Sequence, residues 1–254
     1  MRPILIGAGR GSRLGTRTDE VPKTLVDVMD RPMLEWILES LGAAGFTKND
    51  VIYICGYKAD VLRARYPEFT YVENTDWENN NILESLMYAR EHLGSGFVSS
   101  YTDILYRGSV VKDLVAAPWD KVLANDTDWR RRYVRRTNHP ESDAEKMRTE
   151  GAPTSRIIDI SRTIPSEEAS GEFIGVAKFS PDGAKELIEA YEDAKAHCET
   201  LGDRPFKKAY LIHLFQRMIQ KGSVFHHVDT HGGYMELDTL QDLEYARSWW
   251  EGGS

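Results

Sequence analysis

The 254-residue chain contains two cysteines, no long apolar run, no low-complexity or Pro/Ser/Gly-rich linker, and no excess of positive charge. Each shortage excludes a class of protein. Cys55 and Cys198 share no C-x-x-C spacing and read as reduced thiols, not as a disulfide framework. No stretch approaches the ~18 apolar residues of a membrane span, and no basic region with an apolar segment and cleavage site precedes the first strand-like run. A cytoplasmic protein is therefore expected. Lys and Arg number 32 against 40 Asp and Glu, and this balance of −8 argues against a general nucleic-acid binder. The absence of a fixed-period repeat, in an otherwise ordinary composition, predicts one domain over residues 1–254.

The richest segment is Ile4 to Leu25, ILIGAGRGSRLGTRTDEVPKTL. An apolar strand-like run feeds directly into Gly7-Ala8-Gly9-Arg10-Gly11-Ser12, where glycines let backbone N–H groups approach an anion without a Cβ in the way. Arg13 adds a planar fork of donors, and Lys23 a mobile point charge whose reach is narrowed by Pro22. The segment reads as a polyphosphate site. It is not a dinucleotide fingerprint, since Ser12 stands where the third glycine of G-x-G-x-x-G belongs. It is not a P-loop either, because no Gly-Lys pair closes the glycine run.

Apolar runs and helical patterns alternate through the first half: Pro3–Gly7, Met33–Ala44, Val51–Cys55, Ala59–Arg65, Phe69–Val72, Ile82–His92 and Gly96–Tyr101. This alternation predicts a mainly parallel sheet covered on both faces, with ligands beyond the carboxyl ends of the strands, where the glycine loop, Gly56 and Asp103 emerge. The second half reads as short strands at Lys121–Ala124, Lys146–Thr149 and Arg156–Ile160 and a longer one at Gly171–Ser180. Helices at Pro181–His197 and Phe206–Lys221, strands at Val224–Val228 and Tyr234–Leu237, and a helix at Leu240–Trp250 complete it. Two doubly wound halves with a small antiparallel excursion would account for this order.

Asp103 follows a strand. Glu236 and Asp238, two apart in an extended segment, present their carboxylates to one side. Carboxylates from two distant strand ends suit Mg²⁺ shared with phosphate oxygens. Arg130, Arg131, Arg132, Arg135 and Arg136 crowd near Trp129 and Tyr133, either as a solvated face or as a patch for a small anionic acceptor, with Lys146 a further candidate. His226, His227, Asp229 and His231 invite a zinc reading, which the alternation of side chains along a strand disfavours.

G-x-G-x-G-S-R-L followed by P-K-T-L resembles the signature of the nucleotidyltransferases that make activated sugars and activated phosphocholine. The resemblance implies a single Rossmann-like α/β domain, with a mixed, mainly parallel sheet flanked by helices. It also implies nucleotide phosphates held by residues 7–12, Arg13 and Lys23, and Mg²⁺ on Asp103 and Asp238 with Glu236. The Asn79-Asn80-Asn81 and Ser85-Leu86 segment is similar to one that holds nucleotide and acceptor in the phosphocholine branch, which implies roles for Asn81 and Ser85. That branch implies CTP. The arginine cluster, if it faces the site, favours an anionic phosphonate acceptor over phosphocholine, whose ammonium calls for an aromatic cage. A sugar 1-phosphate nucleotidyltransferase and a non-catalytic nucleotide sensor are the alternatives. The sequence leaves the oligomeric state open.

Overall fold

The computed structural model describes residues 1–134, 136–151 and 154–251. The chain runs β1 (Arg2–Ile6), the short pair β2 (Asp27–Val28) and β3 (Arg31–Pro32), α1 (Met33–Ala43), β4 (Ile52–Cys55), α2 (Ala59–Arg65), β5 (Thr70–Glu73), α3 (Ile82–Tyr88) and β6 (Phe97–Tyr101). It continues through β7 (Ile104–Tyr106), α4 (Gly108–Ala116), β8 (Lys121–Asp126), α5 (Arg130–Tyr133), β9 (Lys146–Thr149), β10 (Ile157–Ser161) and β11 (Gly171–Phe179). Then follow α6 (Pro181–His197), the pair β12 (Thr200–Leu201) and β13 (Arg204–Pro205), α7 (Leu211–Gln220), β14 (His226–Thr230), β15 (Tyr234–Glu236) and α8 (Leu240–Glu251).

One mixed sheet organises these elements in the order β10-β9-β11-β6-β1-β4-β5, with β8 beside β11 and β14 beyond β8. The β6, β1, β4 and β5 strands are parallel, as the strand-helix alternation predicts. Ile4 and Ile6 pack into the core on one face and Leu5 into the core on the other, so β1 is apolar throughout. The second half does not form a separate doubly wound unit. It continues the same sheet through β11, which runs antiparallel to β6, β8 and β9. Helix α4 is a further addition to the sequence reading, and its buried Val110, Val111 and Leu114 are the signal that would have marked it. The expected helix from Phe206 is interrupted: a 3-10 turn at Phe206–Lys208 precedes α7. Among the described residues no helix is long and apolar enough to cross a membrane.

Strand β11 changes neighbours along its length, from β9 at Gly171 and Glu172 to β6 at Val176 to Phe179, and its register with β8 shifts between Phe173 and Ala177. Gly175 lies in this irregular stretch with φ +79°, and the ring of Tyr101 fills the space a Cβ would take. Left-handed backbone and steric contact both require glycine here. Gly175→Ala is expected to destabilise the fold by more than about 1 kcal/mol, read from the midpoint of urea unfolding.

Candidate functional site

The glycine loop extends the β1–β4 register beyond the strands. Gly7 N–H donates to the Ile54 carbonyl at 3.0 Å, and Tyr57 N–H donates to the Ala8 carbonyl at 2.9 Å. A Cβ on Gly7 would run into the Tyr53 hydroxyl and lie 2.6 Å from Thr102 Oγ1. Gly56, expected as a nucleotide contact, serves from beneath: a Cβ there would lie 2.7 Å from the Ala8 carbonyl oxygen and 2.8 Å from the Trp77 ring. Gly11 has φ +71°, and a Cβ on it would lie 2.5 Å from Lys23 Cδ. The lysine stem therefore crosses the loop at the one residue that leaves room for it. Among the described residues the N–H groups of Gly9, Arg10 and Gly11 have no hydrogen-bond partner in the chain, as an anion-binding turn requires.

Three distant segments converge on the Lys23 ammonium. Asp103 occupies the turn between β6 and β7. The pairing of β15 with β7 brings Asp238 alongside, with Leu237 N–H donating to the Asp103 carbonyl at 2.8 Å. Lys23 Nζ donates to Asp103 Oδ2 at 2.9 Å and to Asp238 Oδ1, while Arg13 donates to Asp238 Oδ2 at 2.5 Å. Burial alone would lower the Lys23 pKa, but Asp103 and Asp238 together outweigh it and hold the group above the ordinary lysine value. Burial likewise opposes ionisation of Asp238, yet Lys23, with His139 and Arg13, carries its pKa well below the carboxylate range. Glu236 goes the other way, pushed well above that range by burial and then by the charge of Asp238. The Asp242 carboxylate accepts from the N–H groups of Asp238 and Thr239, at 2.9 and 2.8 Å, and fixes this segment at the entry to α8.

A cleft of about 230 Å³ opens over these groups, lined by Gly7, Ala8, Gly9, Gly11, Arg13, Lys23, Asn81, Ser85, Asp103 and Asp238 among others. Ser12 begins the following 3-10 turn on the exposed side of the loop. Asn81 caps α3 by accepting from Ile82 N–H at 2.8 Å, and Ser85 accepts from Asn74 Nδ2 at 2.9 Å, so both are fixed before any ligand arrives. Asn80, from the asparagine triplet, lines the cleft too, and Trp77 and Thr102 join the lining without having been singled out in the sequence. The aromatic two residues before the asparagine triplet was the available signal for Trp77. His139 is the main residue missed. Its ring is buried between Glu236 and Asp238, Nε2 3.1 Å from Glu236 Oε2 and Nδ1 3.4 Å from Asp238 Oδ2. Nothing local in Thr137-Asn138-His139-Pro140 announces that position.

The site has the donors for a hard cation. Asp103 and Asp238 bring carboxylate oxygens to one point, presently answered by an ammonium, beside a cleft with room for phosphate oxygens. This set fits Mg²⁺, which takes one or two carboxylates and completes its shell with phosphate and water.

The arginine cluster, by contrast, does not line the cleft. Arg132 is 5% exposed and pairs with both Asp126 and Glu172, tying α5 to β8 and β11. Arg136 is held by Asp242 at 2.8 Å, and Arg130 lies on an exposed face 3.5 Å from Glu141. Arg135 lies outside the described residues. Lys146 is buried on β9, its ammonium 3.5 Å from the Glu141 carbonyl, with its pKa lowered by that burial. None of Arg130, Arg132 and Lys146, the expected acceptor contacts, lines the glycine-loop cleft, and each is engaged by groups of the chain itself. The histidines near β14 do not converge: His226 stacks on Trp119 at 4.4 Å, His227 contacts Asp229 and His231 contacts Thr127. Trp250 packs edge-on against Trp36 in the core.

The profile of the MobA-like NTP transferase domain matches residues 4–143. The CTP:phosphoglutamine cytidylyltransferase of Campylobacter jejuni is 26% identical over 96% of this chain and 98% of that protein. The 2-aminoethylphosphonate cytidylyltransferase of Lancefieldella rimae is 33% identical, over 37% of this chain and 38% of its own length. Among solved structures, the CTP:phosphocholine cytidylyltransferase of Streptococcus pneumoniae superposes with a TM-score of 0.70 at 21% identity, covering 99% of both chains.

The buried arginine gives a direct test. Arg132→Ala leaves Asp126 and Glu172 uncompensated in the interior and is expected to cost about 3–5 kcal/mol in urea unfolding, whereas the exposed Arg130→Ala should stay within about 0.5 kcal/mol of the parent chain.

Proposed function

Since the chain belongs to the family of MobA-like NTP transferase domains, and is a nucleotidyltransferase, we propose that it transfers CMP from CTP to a small phosphorylated or phosphonate acceptor in the cytoplasm. The observation that carries this reading is the Lys23 ammonium joined to Asp103 and Asp238 at the rim of the glycine-loop cleft. The choice of CTP rests on the cytidylyltransferases of C. jejuni and L. rimae, whose acceptors are a phosphorylated amino acid and a phosphonate. A sensor has no use for this complete set of lysine and carboxylates.

An oxygen of the acceptor's phosphoryl or phosphonyl group attacks the α-phosphorus of CTP. The bond from that phosphorus to the bridging oxygen of the β-phosphate breaks, and pyrophosphate leaves with the electron pair. The attacking oxygen is already ionised near neutral pH, so the task is to overcome anion repulsion and hold the reactants in line. Lys23 swings from the carboxylates to the α-phosphate, while Arg13 and the free N–H groups of Gly9 to Gly11 take the departing pyrophosphate. Asp103 and Asp238 would hold Mg²⁺, which when bound supplies charge neutralisation of the phosphates. The asparagine and serine at the start of α3, already fixed by their own hydrogen bonds, orient the nucleotide.

Pyrophosphate release in the presence of Mg²⁺ tests the reading. CTP, UTP, ATP and GTP are each paired with phosphoglutamine, phosphocholine, 2-aminoethylphosphonate, phosphonoformate and a sugar 1-phosphate. Release with CTP and one phosphoryl or phosphonyl acceptor is expected, abolished by Asp103→Asn and slowed by roughly 10²- to 10³-fold by Lys23→Met. Turnover confined to another nucleotide would overturn the choice of base, and silence in every pair would overturn the reaction.

A further inference from the structure

Several of the guanidinium groups that the cleft does not use meet at another recess. A cavity of about 380 Å³ lies between α5 with the segment after it and β15 with α8, walled by Arg131, Val134, Arg136, Met235, Tyr245 and Trp249 and bounded by Glu236 and Asp242. Sites for small molecules span about 300–1,000 Å³ and combine apolar and aromatic walls with a few polar groups. No residue lining this cavity also lines the glycine-loop cleft, so the two are separate sites.

The polar groups around it differ in what they already hold. Asp242 accepts from Arg136 Nε at 2.8 Å and from the N–H groups of Asp238 and Thr239, while Glu236 is met by His139 at 3.1 Å and by Arg136 at 3.6 Å. Both carboxylates belong to the buried inner end. Arg131 stands at the mouth, its side chain 61% exposed. Among the described residues its one ion-pair partner is Asp128, at 3.5 Å, and its guanidinium makes no hydrogen bond. The guanidinium carbon lies 5.4 Å from the centroid of the Trp249 ring. Trp249 Nε1 and the Tyr245 hydroxyl are likewise without hydrogen-bond partners among the described residues, and both side chains border the cavity. A guanidinium and an indole N–H can only donate, and a phenol can donate as well. The groups left over at the mouth therefore call for an acceptor.

We infer that this cavity is a second ligand site, for a small organic anion whose carboxylate or phosphate is carried on a planar apolar body. The anionic head binds the Arg131 fork, whose geometry matches carboxylate and phosphate oxygens alike. The body joined to that head then falls against the indole of Trp249, with Tyr245, Met235 and Val134 around it. Charge sets the direction of entry: Glu236 and Asp242 at the inner end disfavour an anionic head there and leave the interior to the uncharged body. The site is additional to the proposed function, and its test uses no turnover, so the failure of one leaves the other standing.

The probes are 2-naphthoate and 2-naphthyl phosphate, with 2-naphthylmethanol as the uncharged counterpart, each titrated into the whole chain labelled with ¹⁵N-tryptophan. The indole N–H signals of Trp249 and Trp77 are identified by their loss in Trp249→Phe and Trp77→Phe. At least one of the anions is expected to move the Trp249 signal saturably, with a Kd of about 1 mM or tighter, and to keep doing so when CTP and Mg²⁺ are present. The alcohol should bind at least about tenfold more weakly. Arg131→Met, a change at an exposed side chain, should weaken the anion about tenfold and leave the alcohol unchanged. The inference is overturned if neither anion moves Trp249, if the alcohol binds as tightly as the anions, if Arg131→Met retains full affinity, or if CTP with Mg²⁺ displaces the probe to leave only a shift at Trp77. Whichever anion binds more tightly identifies the head group.

Discussion

Everything in the site depends on one ammonium placed between two carboxylates. Lys23, Asp103 and Asp238 come from the start, middle and end of the chain, and none of them is held by its own local structure alone. Without Lys23 the two aspartates would face each other in a half-buried cleft, where like charges drive one of them to take up a proton. The surrounding fold is arranged to make the bridge. Pro22 leads into the turn that begins at Lys23, Gly11 leaves room for the lysine stem, and pairing of β15 with β7 delivers Asp238. Asp242 then fixes the backbone of Asp238 from the other side.

The same competition between burial and pairing governs the charges further out. Although the chain is acidic overall, it buries Arg132, Lys121, Lys146 and Lys178, each against an acceptor of the chain itself. Arg132 is the clearest case, since both of its carboxylates sit on strands and its own short helix carries Tyr133, which donates to Glu172 at 2.7 Å. Such a network contributes little net stability relative to apolar packing, but losing one member leaves a buried charge exposed to the full desolvation cost. These arginines do not line the glycine-loop cleft; Arg131, Arg132 and Arg136 border a separate cavity of about 380 Å³ beside Glu236.

What was legible in the sequence was whatever is local. The glycine loop, the Pro22-Lys23 pair and the parallel strands of the first half each carry their physical reason within a few residues. Helix α6 was bounded correctly because Ser180 and Pro181 mark its start, the serine accepting from Gly183 N–H at 3.1 Å. Illegible parts were those decided across the sheet. A run of arginines looks the same whether it meets solvent or, like Arg132, two buried carboxylates from other strands. His139 has no periodic context at all, and only the folded chain brings it to Glu236 and Asp238. The second half read as a separate wound unit from the order of its strands and helices, and nothing local reveals that β11 serves β6, β8 and β9 in turn.

Under the proposed function, ligand binding would be an exchange of partners at nearly constant charge. In the structure described here Lys23 and Arg13, the cations suited to phosphate, rest on the carboxylates suited to a metal. A triphosphate that draws both cations across the cleft leaves Asp103 and Asp238 facing each other without compensation, and that arrangement favours entry of a divalent cation. The reverse also holds, since a cation on the carboxylates frees Lys23 and Arg13 for phosphate. Each ligand must then raise the affinity for the other by the same factor, because the coupling between two equilibria is reciprocal. A site built this way discriminates against either ligand alone. Bare triphosphate would have to strand two carboxylates, and a bare cation would have to release two basic side chains with no phosphate to receive them.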